Sequence, residues 1–394
     1  MSLGIYISVP FCRTKCSYCN FASGVFSAAQ MGRYVERLCA DIGDCRALAA
    51  RHGAEVPGTV DTIYLGGGTP NLLPADEFAK LFAAVRMSFE MASEAEITVE
   101  CAPGTISDSA LEALAAGGVN RVSLGVQSFV DQEAASVGRL HTREKTLNDI
   151  ERLRRAGIGN INVDLIAGLP HQTTQSWNES LSAAIATGVP HVSVYMLEVD
   201  LDSRLGRELI AGGTRYHAHF VPDDDATAGF YEEAIAQLNA AGITQYEISN
   251  FARAGFESRH NLKYWRRLPY FGFGVDAHSM LPVIGQGQQP MESVRLATTD
   301  SYDGFFVDAQ IESSQVSRSQ ALEESFFLGL RLNRGVDLGA LRKQFGDAVE
   351  RNDFVIDELV AEGMLARSGE LLQLTPRGRL LSNEVFERFI ATAV

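Results

Sequence analysis

The sequence predicts an α/β protein whose first half is a parallel sheet covered by helices. Six short β-rich apolar runs recur, at Tyr6–Val9, Thr62–Leu65, Glu96–Glu100, Arg121–Gly125, Asn160–Ile166 and His191–Met196. Helix-period stretches separate them, at Ala28–Ala50, Ala75–Phe89, Asp108–Ala116, Arg143–Ala156 and Gln175–Thr187. Polar or glycine-rich residues gather just after the strands. Alternating β and α of this kind implies parallel strands joined by helical crossovers. Right-handed crossovers then bring every strand's C-terminal end to one face. Six units suit a partial (βα)6 barrel, and periodicity alone leaves an open doubly wound sheet as the alternative.

Taken in order, each strand end carries something polar. The first leads into a cysteine-rich loop, and the second into Gly66-Gly67-Gly68-Thr69-Pro70. Glu100 ends the third, Gln127 follows the fourth and Asp164 lies within the fifth. Strand C-terminal ends are where parallel α/β folds build their sites, so five segments are expected to converge on one rim.

The second half changes character. Pro222-Asp223-Asp224-Asp225 reads as a polar break before a helix at Ala226–Ala240. A segment rich in aromatics, Gly and His follows, from Gln245 to Ser279. Beyond about Ser317 three helices and a short hairpin, Gly369–Leu374, read as a small winged-helix-like module. The expected organisation is a barrel over residues 1–220, a linking α+β segment over 221–316 and the module over 317–394.

Composition narrows the function. The chain has 394 residues, enough for two or three domains. Its formal net charge of -15 argues against a broad nucleic-acid surface, which needs a basic stripe. No run is long and apolar enough to span a bilayer, and the N-terminus has no basic region before its apolar stretch. A cytoplasmic protein is expected, peripheral at a membrane only through partners. Six cysteines then read as free thiols or metal ligands rather than a disulfide frame.

Three of them lie in Cys12-Arg13-Thr14-Lys15-Cys16-Ser17-Tyr18-Cys19-Asn20-Phe21. A structural zinc site takes four protein ligands, and a complete iron–sulfur site takes four thiolates. Three is the number required when one iron of a [4Fe–4S] cluster stays open to an external ligand. The competing readings are buried loop cysteines, or zinc completed by a distant His. Cys39 and Cys45 fall in a helical stretch and read as packing residues.

With this motif the chain resembles the radical S-adenosylmethionine (SAM) proteins of the oxygen-independent coproporphyrinogen III oxidase superfamily, nearly end to end. The resemblance implies a partial (βα)6 radical SAM barrel. It implies a [4Fe–4S] cluster on Cys12, Cys16 and Cys19, with SAM on the open iron. In the family, an electron from the cluster breaks the sulfonium–C5′ bond and yields a 5′-deoxyadenosyl radical. Tyr6 and Tyr18 match positions that touch the cofactor. Gly67, Gly68 and Thr69 match the stretch whose backbone approaches the methionine amino group. Glu100 matches the carboxylate that meets the ammonium group, and Arg139 the arginine that holds the carboxylate. Gln127 and Asp164 match the pair on the ribose hydroxyls. His141 and His171 lie near the same rim and read as hydrogen-bonded structural histidines.

Within the superfamily the resemblance favours the heme chaperone group over the decarboxylases. The decarboxylases carry a further Cys where this chain has Phe21, and a longer N-terminal segment before the cluster. Arg259-His260-Asn261-Leu262-Lys263-Tyr264-Trp265 matches the His-Asn-x-x-Tyr-Trp motif associated with heme in the chaperones. It implies that His260 can ligate heme iron, with Asn261, Tyr264 and Trp265 beside it. His278 is a second imidazole in the same region. The expected partners are heme, an acceptor hemoprotein, possibly of the respiratory chain, and an electron donor. The alternatives are a coproporphyrinogen III oxidase or another heme-modifying radical SAM enzyme.

Overall fold

Side-chain alternation on the first strand sets the architecture. In the computed structural model, which describes residues 1–201, 203–283, 292–307 and 311–390, β1 spans Leu3–Val9. Leu3, Ile5, Ile7 and Val9 face outward and are buried in the main hydrophobic core. Gly4, Tyr6 and Ser8 therefore face the other way. Helix α1 (Ala28–Arg51) covers the apolar face, and Ser27 and Gln30 close a capping box at its start.

The rhythm repeats through β2 (Thr59–Gly67), α2 (Ala75–Ser88), β3 (Glu90–Cys101), α3 (Asp108–Ala116), β4 (Arg121–Gln127), α4 (Asp131–Ser136), α5 (Arg143–Arg155), β5 (Asn160–Ala167), α6 (Thr174–Ala186) and β6 (His191–Met196). All five neighbouring pairs from β1 to β6 are parallel. This bears out the expected parallel (βα) barrel and leaves the six predicted strands in place, mostly one to six residues longer.

The inner face is polar rather than apolar. Tyr64 lies beside Thr98, Thr98 beside Arg121, Glu100 beside Ser123, and Asp164 beside Ser193. Asn162 ties the bore together, donating to Ser123 Oγ at 2.7 Å and to Ser193 Oγ at 3.0 Å, while its Oδ1 lies 2.6 Å from His191 Nδ1. Buried polar groups cost stability unless paired, so this network holds the bore in one arrangement.

Past β6 come α7 (Arg204–Ala211), α8 (Asp224–Ala240), β7 (Thr244–Gln245), β8 (Asn250–Ala252), α9 (Arg259–Trp265), β9 (Tyr270–Phe273), β10 (His278–Pro282), β11 (Ser293–Ala297) and β12 (Glu312–Val316). Asp223 caps α8 through the Ala226 N–H at 2.8 Å. Among the described residues these strands join the barrel strands in one sheet, ordered β12-β11-β10-β9-β1-β2-β3-β4-β5-β6-β8-β7. β8 pairs antiparallel with β6, and β9 parallel with β1. Helix α9 packs against β2 on the polar side of the sheet.

The last segment has its own core. It comprises α10 (Arg318–Leu330), β13 (Val336–Asp337), α11 (Leu338–Phe345), α12 (Asp353–Ala361), β14 (Leu365–Ser368), β15 (Leu371–Leu374), α13 (Pro376–Leu380) and α14 (Ser382–Glu387). Phe326, Leu338, Leu359 and Leu372 lie at its centre. Gly369, at φ 61°, turns the β14–β15 hairpin. The module docks on the barrel through Asn333, whose N–H donates to Tyr246 O at 2.9 Å and whose side chain donates to Gln245 O at 2.7 Å.

Candidate cofactor site at the barrel mouth

The loop after β1 is closed on itself by Cys12 N–H to Gly24 O at 2.8 Å and Gly24 N–H to Pro10 O at 2.9 Å. Two outside bonds anchor its middle: Ser17 N–H donates to Val137 O at 3.1 Å, and Leu205 N–H donates to Ser17 O at 2.8 Å. So held, Cys12, Cys16 and Cys19 all line one cleft of about 650 Å³ at the strand C-terminal ends. All three are free thiols. The Thr69 hydroxyl lies 3.7 Å from Cys12 Sγ, and Arg139 Nη1 lies 3.7 Å from Cys16 Sγ.

The glycine stretch meets this loop from β2. Gly68 N–H donates to Val9 O and Thr69 N–H to Phe11 O, at 2.9 and 2.7 Å. A Cβ on Gly68 would stand 2.7 Å from Val9 O and 2.8 Å from Phe11 O, so only glycine allows this approach. Gly67 has φ 94°, a conformation other residues adopt only with strain.

Glu100 sits beside this stretch on the neighbouring β3, where a Cβ on Gly66 would stand 3.0 Å from its carboxylate. Tyr64 donates to its Oε1 at 2.8 Å. Burial pushes the Glu100 carboxyl up to about 7, and the nearby Asp164 adds to this. Asp164 accepts from Ser123 at 2.9 Å and from Asn162 at 2.7 Å, and burial raises it too. Arg139 donates to Gly125 O, and a Cβ on Gly125 would stand 3.0 Å from Arg139 Nη2 and 3.1 Å from Gln127 Nε2. Arg139 Nε is buried and has no partner among the described residues.

Of the residues expected to meet SAM, Tyr18, Gly67, Gly68, Thr69, Glu100, Gln127, Arg139 and Asp164 all line the cleft. Tyr6 does not. It stands in register with Tyr64 on the neighbouring strand, its ring 6.2 Å from that of Tyr64. Tyr64 and Tyr195, which sequence reasoning missed, line the cleft instead. The inward alternation Thr62/Tyr64 and Ser193/Tyr195 is the signal that could have found them. Cys101 also borders the cleft, but burial pushes its thiol up strongly and keeps it protonated. His141 bonds to Val126 O at 3.0 Å, and burial lowers it to about 4, fitting a structural role.

The His260 segment is not at the cleft. His260 is buried on α9 inside the bore, with Nδ1 2.9 Å from Thr62 Oγ1 and Nε2 2.8 Å from Tyr264 Oη. Both ring nitrogens are thus engaged, and burial lowers its pKa to about 3. Asn261 N–H bonds to Ser258 Oγ at 3.3 Å as part of the helix cap. Tyr264 packs edge-on against Tyr270, with ring centres 4.6 Å apart. Trp265 is covered by the Arg331 guanidinium, 4.3 Å from its ring centre. His278 is exposed, 3.8 Å from Asp276.

A parallel partial barrel whose first strand leads into a loop with three thiols lining one cleft defines the class. Residues 6–184 match the Radical SAM superfamily, and residues 316–381 match the HemN C-terminal domain. The chain is 33% identical over 390 residues to the heme chaperone HemW of Bacillus subtilis (strain 168), covering 98% of each. It is 32% identical to HemW of Escherichia coli (strain K12), over 99% of this chain and 98% of that one. A mitochondrial radical S-adenosyl methionine domain-containing protein 1 of Bos taurus is 32% identical over 84% of this chain and 74% of that one. Among solved structures, the coproporphyrinogen III oxidase HemN from Escherichia coli shares the fold, with TM-score 0.80 and 23% identity over 98% of this chain and 90% of that one. The chain belongs to the HemW family.

Proposed function

We propose that this protein is a heme chaperone. It holds a [4Fe–4S] cluster on Cys12, Cys16 and Cys19, binds SAM in the cleft beside it, and delivers heme to an acceptor hemoprotein. One observation carries the cofactor reading: three free thiols share a single cleft with a carboxylate, Glu100, and a guanidinium, Arg139.

The residues fit the group. A zwitterionic amino-acid head needs one anion and one cation, and Glu100 supplies the one from the end of β3 and Arg139 the other from the loop between α4 and α5. The partnerless Arg139 Nε is a donor available to a ligand carboxylate. Gly67 and Gly68 leave the backbone bare beside it. Asp164 and Gln127 offer oxygen and amide groups to ribose hydroxyls. The cluster, once loaded, would supply an electron to the sulfonium, so an electron donor is a required partner. Tyr18 and Cys19 line the same cleft.

The heme reading rests on the HemW relatives of Bacillus subtilis and Escherichia coli, which are heme chaperones. The division of labour we propose puts cofactors on residues 1–220, a linking segment at 221–316, and an α+β module at 317–394. With both nitrogens engaged, His260 could meet heme iron only after its bonds to Thr62 and Tyr264 break; Asn261, Tyr264 and Trp265 would follow it. No helix of the described residues is long and apolar enough to cross a membrane, and we place the protein in the cytoplasm, reaching a membrane through partners.

Coproporphyrinogen III oxidase activity is the second reading, because the fold is shared with HemN. Against it, Phe21 lines the cleft where the decarboxylase motif has a cysteine. An anaerobic assay with three parallel readouts separates the two. The expected result is heme uptake without loss of coproporphyrinogen. Robust formation of protoporphyrinogen IX, without heme uptake, would sink the chaperone reading.

A further inference from the structure

We infer that heme iron is taken by His217, its imidazole oriented by His171, on the surface formed by α7 and the turn after it. This rests on the chaperone reading above and supplies its binding site.

His171 follows β5, and His217 follows α7. Their rings meet with His171 Nε2 3.2 Å from His217 Nδ1. Such a contact holds when one nitrogen donates and the other accepts. A neutral His171 can accept at Nε2, which puts the proton of His217 on Nδ1. His217 Nε2 then carries the lone pair, and among the described residues nothing hydrogen-bonds to it. Metal-ligating histidines are held in this way, with the far nitrogen tied to a fixed partner.

The surroundings suit a porphyrin. Phe220 packs at a tilt against both His171 and His219, at 4.1 and 4.0 Å between ring centres, and is 47% exposed. Leu209 and Ile210, at the end of the adjoining α7, are 50% and 69% exposed. Exposed apolar side chains gathered beside an open imidazole mark a ligand surface more than a solvent face. The segment Ser203–Phe220 is also locally basic, with Arg204, Arg207 and Arg215 against Glu208 alone. Glu208 is buried and turned inward, where it accepts the Tyr216 N–H. On a chain of net charge -15, this is a place that can receive two propionates.

The same surface adjoins the cysteine loop. Leu205 N–H bonds to Ser17 O at 2.8 Å, and Arg204 Nη1 lies 3.3 Å from Lys15 O. Heme at His217 would thus sit outside the cleft yet on the segment that braces its thiols.

The test is a titration of the full-length, anaerobically reconstituted protein with ferric hemin, followed by visible absorption. Wild type should take up one heme with a nitrogen-ligated Soret band. His217→Ala should lose that band, and added imidazole should restore it. His171→Ala should weaken uptake by about 10–100-fold, the usual cost of losing a ligand's orienting partner. His171→Gln, which again offers an acceptor, should recover most of it. His217→Ala with an unchanged band and unchanged affinity would overturn the assignment. So would His260→Ala that loses the band while keeping wild-type circular dichroism. No heme uptake by wild type at all would instead remove the chaperone reading itself.

Discussion

The Tyr64 hydroxyl donates a 2.8 Å hydrogen bond to Glu100. The same Tyr64 ring lies 5.3 Å from that of His260, so the carboxylate of the cleft is linked through one aromatic side chain to helix α9 in the bore. What Glu100 can do follows from this placement.

Burial holds Glu100 near 7, well above its ordinary 4.5. The sign follows directly. The folded chain favours the neutral acid, so this contribution to stability is fully present below about pH 4.5 and lost as pH rises through about 7. In the proposed site, the ammonium group of SAM would pair with the ionised form. SAM affinity should therefore fall about ten-fold per pH unit below pH 7 and level off above it. Equilibrium dialysis between pH 6 and 8 checks this. Glu100→Gln should flatten the profile at the weak end; a flat profile in wild type would contradict it.

Cys16 is the most buried of the three loop cysteines and has Arg139 beside its sulfur. Cys16→Ser should lose the four-iron complement on anaerobic reconstitution, read by iron and sulfide analysis. Retention of a full complement would rule out the three-thiolate assignment.

Gly68→Ala sets a methyl group against the Val9 and Phe11 carbonyls, both main-chain atoms that cannot rotate away. A loss of about 1–3 kcal/mol is expected, as for an overpacked core site. Urea denaturation measures it, and cluster retention should fall with it because the cysteine loop hangs from these contacts.

His260→Ala should cost about 2–4 kcal/mol, from the cavity and two orphaned hydroxyls. Its pKa is lowered to about 3 from an ordinary 6.5, so the folded state binds fewer protons than the unfolded one between those values. Stability from this residue is present above about pH 6.5 and is lost as pH falls towards 3. The alanine variant should show a shallower loss of stability over that interval in a series of urea midpoints.

The barrel was legible because its signals are local. Each of the six strands is a run of β-formers, and Gly67, Gly68, Glu100 and Gln127 stand at or just after strand ends. The cysteine spacing and the Gly66-Gly67-Gly68 turn are likewise read within a few residues. The flanking strands were not legible: β7 and β8 have two and three residues, too short for alternation to register. That Tyr64 rather than Tyr6 lines the cleft was hidden for another reason. Tyr6 and Tyr64 are in register on adjacent strands, and only three-dimensional stacking decides which ring reaches the cleft. His260 shows the limit of a motif. Residue types suited to iron are equally suited to bridging Thr62 and Tyr264, as His260 does here.

The pairing of β9 with β1 and of β8 with β6 has a consequence for how the chain comes to be made. Both rims of the six-stranded barrel are sealed by strands lying beyond residue 249, although every strand and loop of the cysteine cleft is complete by residue 200. During synthesis the nascent barrel must wait, with two unpaired backbone rows, until residues 250–273 emerge. Such rows invite pairing with other chains. A fragment ending at residue 220 would carry every cleft residue and still be prone to aggregate, and iron loading before the last third is translated would take place on an unsealed barrel.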